Sequence, residues 1–253
     1  MFDPSSSTNP GWHLSLYPDA LEAGGYFRAS TDLAERSYVA RGNAADPERS
    51  AAEAGRRARG RLRRYCTANR LNRLGTLTYA GAGNHEPTQL RTDLGEFFRN
   101  LRAGLGGKPL PYVWVPEWHK SGHGLHAHFA LSKYVPRRLI EAAWGRGFVH
   151  ITLINNLPHG AGAVEEARRA AGYVSKYVAK TFVDPETRVL GLHRYDVGQG
   201  FQPEKVRLWA RSSDDLLDQA SKRLGRVPET VWHSIEAENW QGPPALWAQW
   251  GGR

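Results

Sequence analysis

Two histidines one residue apart, His126 and His128, lie in the run Gly122-His123-Gly124-Leu125-His126-Ala127-His128-Phe129-Ala130-Leu131. Two tyrosines four residues apart, Tyr173 and Tyr177, lie in Gly172-Tyr173-Val174-Ser175-Lys176-Tyr177-Val178-Ala179-Lys180. Side chains alternate along a strand, so imidazoles at i and i+2 face one side and can reach one ion. On a helix, i and i+4 are neighbours, so the two phenols share a face. A phenol with a pKa near 10 is a useful nucleophile only where cations stabilise its anion, and a phosphodiester is a useful target only where its own charge is neutralised. Lys176, Lys180 and a metal ion would supply both.

The composition agrees with such a target. The 253 residues carry a net charge of +9 with a pI near 9.8, alongside 9 Trp and 10 Tyr. Excess positive charge and abundant aromatic rings favour nucleic acid as the partner. Cys66 is the only cysteine, which excludes a disulfide framework and a thiolate zinc cluster and fits a reducing interior. With no basic-then-apolar leader and no apolar run near the roughly 20 residues that cross a bilayer, the expected location is the cytoplasm, with no membrane partner.

Three stretches organise the chain: an N-terminal extension (1–44), a core (45–190) and a C-terminal accessory segment (191–253) packed on or next to that core. Asp46-Pro47 opens a helix running to about Asn69 that carries Arg56, Arg57, Arg59, Arg61, Arg63, Arg64 and Arg70, a set suited to phosphate contact or to a solvated face. Residues 74–79 read as a strand, and Leu90, Leu94, Phe97, Leu101 and Leu105 give residues 87–105 a helical stripe. Residues 112–118 and 125–132 are strand-like and joined by the polar loop 119–124, with Pro116 placing the first at an edge or bulge. A helix from Pro136, a strand over 148–153 and a helix over 164–182 follow. The order strand, helix, strand, strand, helix, strand is that of an α+β, ferredoxin-like or RRM-like antiparallel sheet with helices on one face. The strand carrying His126 and His128 is then central. Beyond it the sequence predicts a strand over 192–197, a helix over 213–224, and Trp232, Trp240, Trp247 and Trp250 as packing residues.

Folding loop 119–124 symmetrically pairs Trp118 with Leu125 and Glu117 with His126, which sets a carboxylate beside the first imidazole. Two histidines and one carboxylate leave positions open on a divalent ion and suit Mn²⁺ or Mg²⁺, with Zn²⁺ or Co²⁺ as substitutes. His119, His123, His150 and His159 read as solvent-exposed. At about 100° per residue, Val164, Ala167, Ala171, Val174, Val178 and Phe182 form an apolar stripe, and Tyr173, Tyr177, Lys176, Lys180 and Arg169 gather on nearly the opposite side.

With these residues in hand the chain resembles the HUH endonuclease superfamily, and within it the rolling-circle replication initiators of plasmids, of actinobacterial type. Thr76-Leu77-Thr78-Tyr79, Leu125-His126-Ala127-His128-Phe129 and Gly172 to Lys180 match its three motifs in order, over about 70 to 185. The arginine-rich segment and Gly191-Leu192-His193-Arg194-Tyr195 also resemble that subgroup. The resemblance implies an HUH palm and a protein that nicks one strand of single-stranded origin DNA, becomes joined through tyrosine to the 5′ phosphate, and leaves a 3′ hydroxyl. It makes Tyr177 the nucleophile, puts Tyr173 where some relatives carry a water-activating Glu, and places Glu117 in the metal set. DNA contacts are expected from Arg56, Arg57, Arg59, Arg61, Arg63, Arg64, Thr78 and Arg169, with a host helicase as partner and no small-molecule cofactor. A transposase or relaxase of the same superfamily and a non-catalytic nucleic-acid-binding module are the alternatives.

Overall fold

A computed structural model describes residues 9–30, 39, 40, 43–152, 162–183 and 194–251, with the side chains of 179–183 outside that set. In chain order the elements are β1 (Gly11–Tyr17), β2 (Glu22–Arg28), α1 (Pro47–Ala68), β3 (Arg73–Tyr79), α2 (Pro87–Gly104), β4 (Tyr112–Trp118), β5 (Leu125–Leu131), α3 (Arg137–Trp144), β6 (Gly147–Thr152), α4 (Ala163–Val183), β7 (Asp196–Val197), β8 (Val206–Ala210), α5 (Ser213–Leu224), β9 (Pro228–His233) and β10 (Ala245–Trp250). They fall into two compact units, one of residues 44–202 and one of residues 1–43 with 203–253.

In the larger unit the sheet order is β6-β3-β5-β4-β7, antiparallel at every pairing. The four longer strands and the helices α2 and α3 reproduce the expected ferredoxin-like arrangement, with β5 in the middle. One sheet face carries Leu77, Trp114, Ala127, Phe129 and Val149 against Leu94, Phe97 and Leu101 of α2 and Ile140 and Trp144 of α3. These are the two helices expected on one face. The opposite face carries Leu74, Val113, Val115 and Ala130 against Ala58, Leu62 and Tyr65 of α1 and Ala170, Ala171, Val174 and Val178 of α4. Helices on both faces bury all seven residues of β5, its histidines included.

Local chemistry explains the helix starts. Asp46 accepts a hydrogen bond from the Arg49 amide at 2.9 Å and Pro47 follows at the first helical turn, which together cap α1. Its buried positions Ala58, Leu62, Tyr65 and Cys66 recur at helical spacing, so the arginines are left on the other side. Helix α2 buries a carboxylate that its stripe did not foretell. Asp93 accepts from the Tyr79 hydroxyl at 2.6 Å and pairs with Arg146 at 2.9 Å, which satisfies a charge that burial would otherwise penalise.

The smaller unit is a second antiparallel sheet of order β8-β1-β2-β10-β9 with α5 beside it. Leu14, Leu16, Ala23, Leu208, Leu216, Leu246 and Trp250 form its core. The two chain ends, read from the sequence as separate accessory pieces bounded at 44 and 191, share this sheet, and the units divide at 43/44 and 202/203. The alternation of Trp12, Leu14 and Leu16 in β1 finds its partner in β8, nearly the length of the chain away. Of the strand expected over 192–197, Asp196 and Val197 form β7 on the edge of the larger sheet, while residues 192 and 193 lie outside the described residues.

Among the described residues no helix is long and apolar enough to cross a membrane.

Candidate active site

The β4–β5 hairpin sets the first half of the site. The His119 amide donates to the Gly124 carbonyl at 2.8 Å, closing the loop so that Trp118 pairs with Leu125 and Glu117 with His126, the register expected from symmetric folding. A second loop clamps the hairpin from outside. The Leu125 amide donates to the Asn84 carbonyl at 2.6 Å, and His123 Nε2 donates to the Tyr79 carbonyl at 2.9 Å. His123, expected in solvent, is therefore half-buried and holds the loop; His119 and His150 are exposed as expected, and His159 lies outside the described residues.

Three ligand-type atoms converge above β5. Glu117 Oε2 lies 3.2 Å from His126 Nε2 and 2.9 Å from His128 Nε2, and the two nitrogens are 3.1 Å apart. Glu117, His126 and His128 form a group that could hold a metal ion. The protonation states suit that use. Burial, and after it the neighbouring His128, push the His126 imidazole down to about 4, so near neutral pH it is uncharged with a lone pair to give. His128 Nδ1 is 3.0 Å from Thr76 Oγ1, opposite it on β3. With the hydroxyl accepting from Nδ1–H, Nε2 keeps its lone pair toward Glu117. The sequence reading missed Thr76, although its first motif contained the residue.

Helix α4 brings the phenols. The Tyr177 ring stacks on His128 with centroids 3.7 Å apart and an interplanar angle of 18°, and the Tyr177 hydroxyl donates to the Tyr173 oxygen at 3.0 Å. Tyr173 meets His128 edge-on at 6.2 Å. Both tyrosines are half-buried against the α1–α4 cluster, at the margin of the apolar stripe rather than opposite it. Burial raises the Tyr177 pKa well above the usual phenol value, helped by the bond to Tyr173 and by the Glu117 charge.

The cations are placed otherwise. Lys176 and Arg169 are exposed on the outer side of α4, away from the phenols, and the Lys180 side chain lies outside the described residues. On α1, Arg56, Arg57, Arg59 and Arg61 are exposed and Arg63 and Arg64 half-buried, with Arg57 paired to Glu53 at 3.5 Å. Arg70 turns its guanidinium to the Thr67 carbonyl. Thr78 is half-buried on β3, directly opposite His126.

No curated protein and no solved structure matches the chain. Residues 72–182, which hold β3 to α4 and with them Glu117, His126, His128, Tyr173 and Tyr177, match the family model of a replication-associated protein, the ORF2 type.

Proposed function

We propose that the chain is a rolling-circle replication initiator of the HUH endonuclease type, which nicks and rejoins single-stranded origin DNA through a 5′-phosphotyrosine. The observation that carries this reading is the meeting of Glu117, His126 and His128 with a tyrosine ring laid on one of the imidazoles. The match of residues 72–182 to a replication-associated family supports the same reading.

Glu117, His126 and His128 would hold a divalent ion, which when bound supplies charge neutralisation at the scissile phosphate. Ligands about 2.1 Å from an ion and at right angles lie roughly 3 Å apart, whereas tetrahedral ligands lie about 3.4 Å apart. The separations of 2.9–3.2 Å therefore favour an octahedral ion, Mn²⁺ or Mg²⁺, and the two imidazoles favour Mn²⁺.

Tyr177 is the nucleophile. Its oxygen forms a bond to phosphorus as the bond from phosphorus to the 3′ oxygen of the preceding nucleotide breaks. The phenolic proton passes along the existing bond toward Tyr173 and on to solvent, and the departing 3′ oxygen takes up a proton from solvent. The phosphotyrosine conserves the free energy of the broken phosphodiester, so a 3′ hydroxyl can reverse the step and rejoin the strand. Tyr173 positions Tyr177, while Lys176, Lys180, Arg169 and the α1 arginines serve the flanking phosphates, the accessible cations that a polyanion needs.

Incubation with single-stranded DNA and Mn²⁺ followed by a denaturing gel tests this function. A protein–DNA band that resists denaturation and is absent with EDTA is expected. A shift in a native gel without such a band would make the chain a non-catalytic binder. Sequencing the attached DNA names the nicked strand and separates an origin from a transposon end or a transfer origin.

A further inference from the structure

Four residues lie in one lateral row across the larger sheet: Phe148 pairs with Thr78, Thr78 with His126, and His126 with Glu117. Directly opposed residues of antiparallel strands point to the same face, so Phe148 on β6 shares the face of the metal-type cluster. Helices α1 and α4 pack over Leu74, Val113, Val115 and Ala130 of this face. Phe148 is 69% exposed, and its neighbour on the same face, His150, is exposed too. Between ring and cluster stands only half-buried Thr78, whose short side chain makes a low floor.

We propose that Phe148 is a base-stacking subsite for the single strand that leads to the cluster, with Thr78 as its floor. The proposal rests on the nickase reading above and adds the path of the substrate. Two strand spacings of about 4.8 Å put Phe148 roughly 10 Å from His126, within reach of a nucleotide whose neighbour sits at the cluster. The ring is fixed on a strand at small entropic cost and offers an open π-face, which any base can cover. The charge agrees with a nucleic acid strand rather than an apolar peptide, because the basic excess of the chain is concentrated in residues 44–202. Phosphates then go to the cations and a base goes to the ring.

The test uses the full chain and an oligo(dA) carrying 2-aminopurine, whose fluorescence is quenched on stacking, in EDTA so that no cleavage intervenes. Phe148→Ala and Phe148→Leu are expected to weaken binding about tenfold and to remove the quench. Phe148→Trp should retain both, and the salt slope of binding should stay unchanged because no charge is altered. Equal melting temperatures of the variants separate lost stacking from lost folding. Unchanged affinity and quench in Phe148→Ala overturn the subsite, as does rescue by Leu, which would mean simple apolar contact. Covalent capture with Mn²⁺ on the same preparations keeps the two readings apart. Capture by the wild type together with unaltered Phe148→Ala binding sinks the subsite alone, and absence of capture with weakened Phe148→Ala binding sinks the nickase and leaves the subsite standing.

Discussion

Tyr177 lies flat on His128, ring centroids 3.7 Å apart, and this contact joins α4 to the strand that carries both imidazoles. Strand register decides where His128 points, and helical phase decides where Tyr177 points. Neither element alone creates a site. The stack also restricts the phenol's rotation, so its oxygen stays near the cluster while its proton is directed at Tyr173. Because burial holds the Tyr177 pKa up, the resting nucleophile is the neutral phenol, and its activation needs positive charge brought to the site.

Tyr177→Phe should therefore abolish the covalent protein–DNA band, a loss of at least about 10³-fold set by removal of the attacking atom. Tyr173→Phe removes only the acceptor of the Tyr177 proton and should leave first cleavage within about tenfold of the wild type. A Tyr173→Phe protein without any band, beside a competent Tyr177→Phe protein, would reverse the two roles.

Removal of one ligand atom should be visible without DNA. Mn²⁺ at 100 times its dissociation constant stabilises a protein by about 2.7 kcal/mol. For a unit of this size that corresponds to a rise in Tm of roughly 5–10 °C. Glu117→Ala, His126→Ala and His128→Ala should each lose this rise while still melting cooperatively in EDTA. A Mn²⁺-induced rise that survives in all three variants would place the ion elsewhere.

Thr76 touches no ligand atom and should still matter. Its hydroxyl holds His128 Nδ1 at 3.0 Å and so selects the tautomer whose Nε2 faces Glu117. Loss of such a partner typically weakens metal binding 10- to 100-fold. Thr76→Val, which keeps the shape and loses the hydroxyl, should raise the Mn²⁺ dissociation constant by about that factor in calorimetric titration, and Thr76→Ser should restore it. An unchanged constant in Thr76→Val would reduce the contact to packing.

The parts of the fold that could be read ahead are those fixed by short-range rules. Loop 119–124 is short enough that only one symmetric pairing follows, which is why Glu117 opposite His126 could be deduced. The stripe of α2 and the proline starts of α1 and α2 were equally local. Thr76 escaped because its pairing with His128 joins β3 to β5 across an intervening helix and strand, a register no turn dictates. The smaller sheet escaped for the same reason. Its β1 alternates, but β2 contains Gly24, Gly25 and a buried Glu22 that hide the period, and its partners come from the far end of the chain. Helical phase alone sets the tyrosines opposite the stripe because it treats the buried side as one line. Helix α4 packs against both α1 and the sheet, so its buried arc is wide enough to reach Ala170 and, at its margin, Tyr177.

Gly124 is where hairpin and clamp meet, and it gives the last prediction. Its φ is +85°, and an added Cβ would stand 2.2 Å from the Asn84 carbonyl oxygen, which is backbone and cannot swing aside. Gly124→Ala therefore combines about 1–2 kcal/mol of left-handed strain with loss of the Leu125 to Asn84 hydrogen bond, worth about 1 kcal/mol. Gly122 supplies the control, since it lies two residues away at φ +79° with nothing within 4 Å of its added Cβ. Gly122→Ala should cost only the strain. In urea denaturation Gly124→Ala should be the less stable of the two by about 1–2 kcal/mol, the hydrogen bond plus the displaced carbonyl. It alone should also weaken Mn²⁺ binding, because freeing Leu125 loosens the pairing of Glu117 with His126. Equal stabilities and equal Mn²⁺ affinities in the two variants would mean that the hairpin holds its register without the Asn84 clamp.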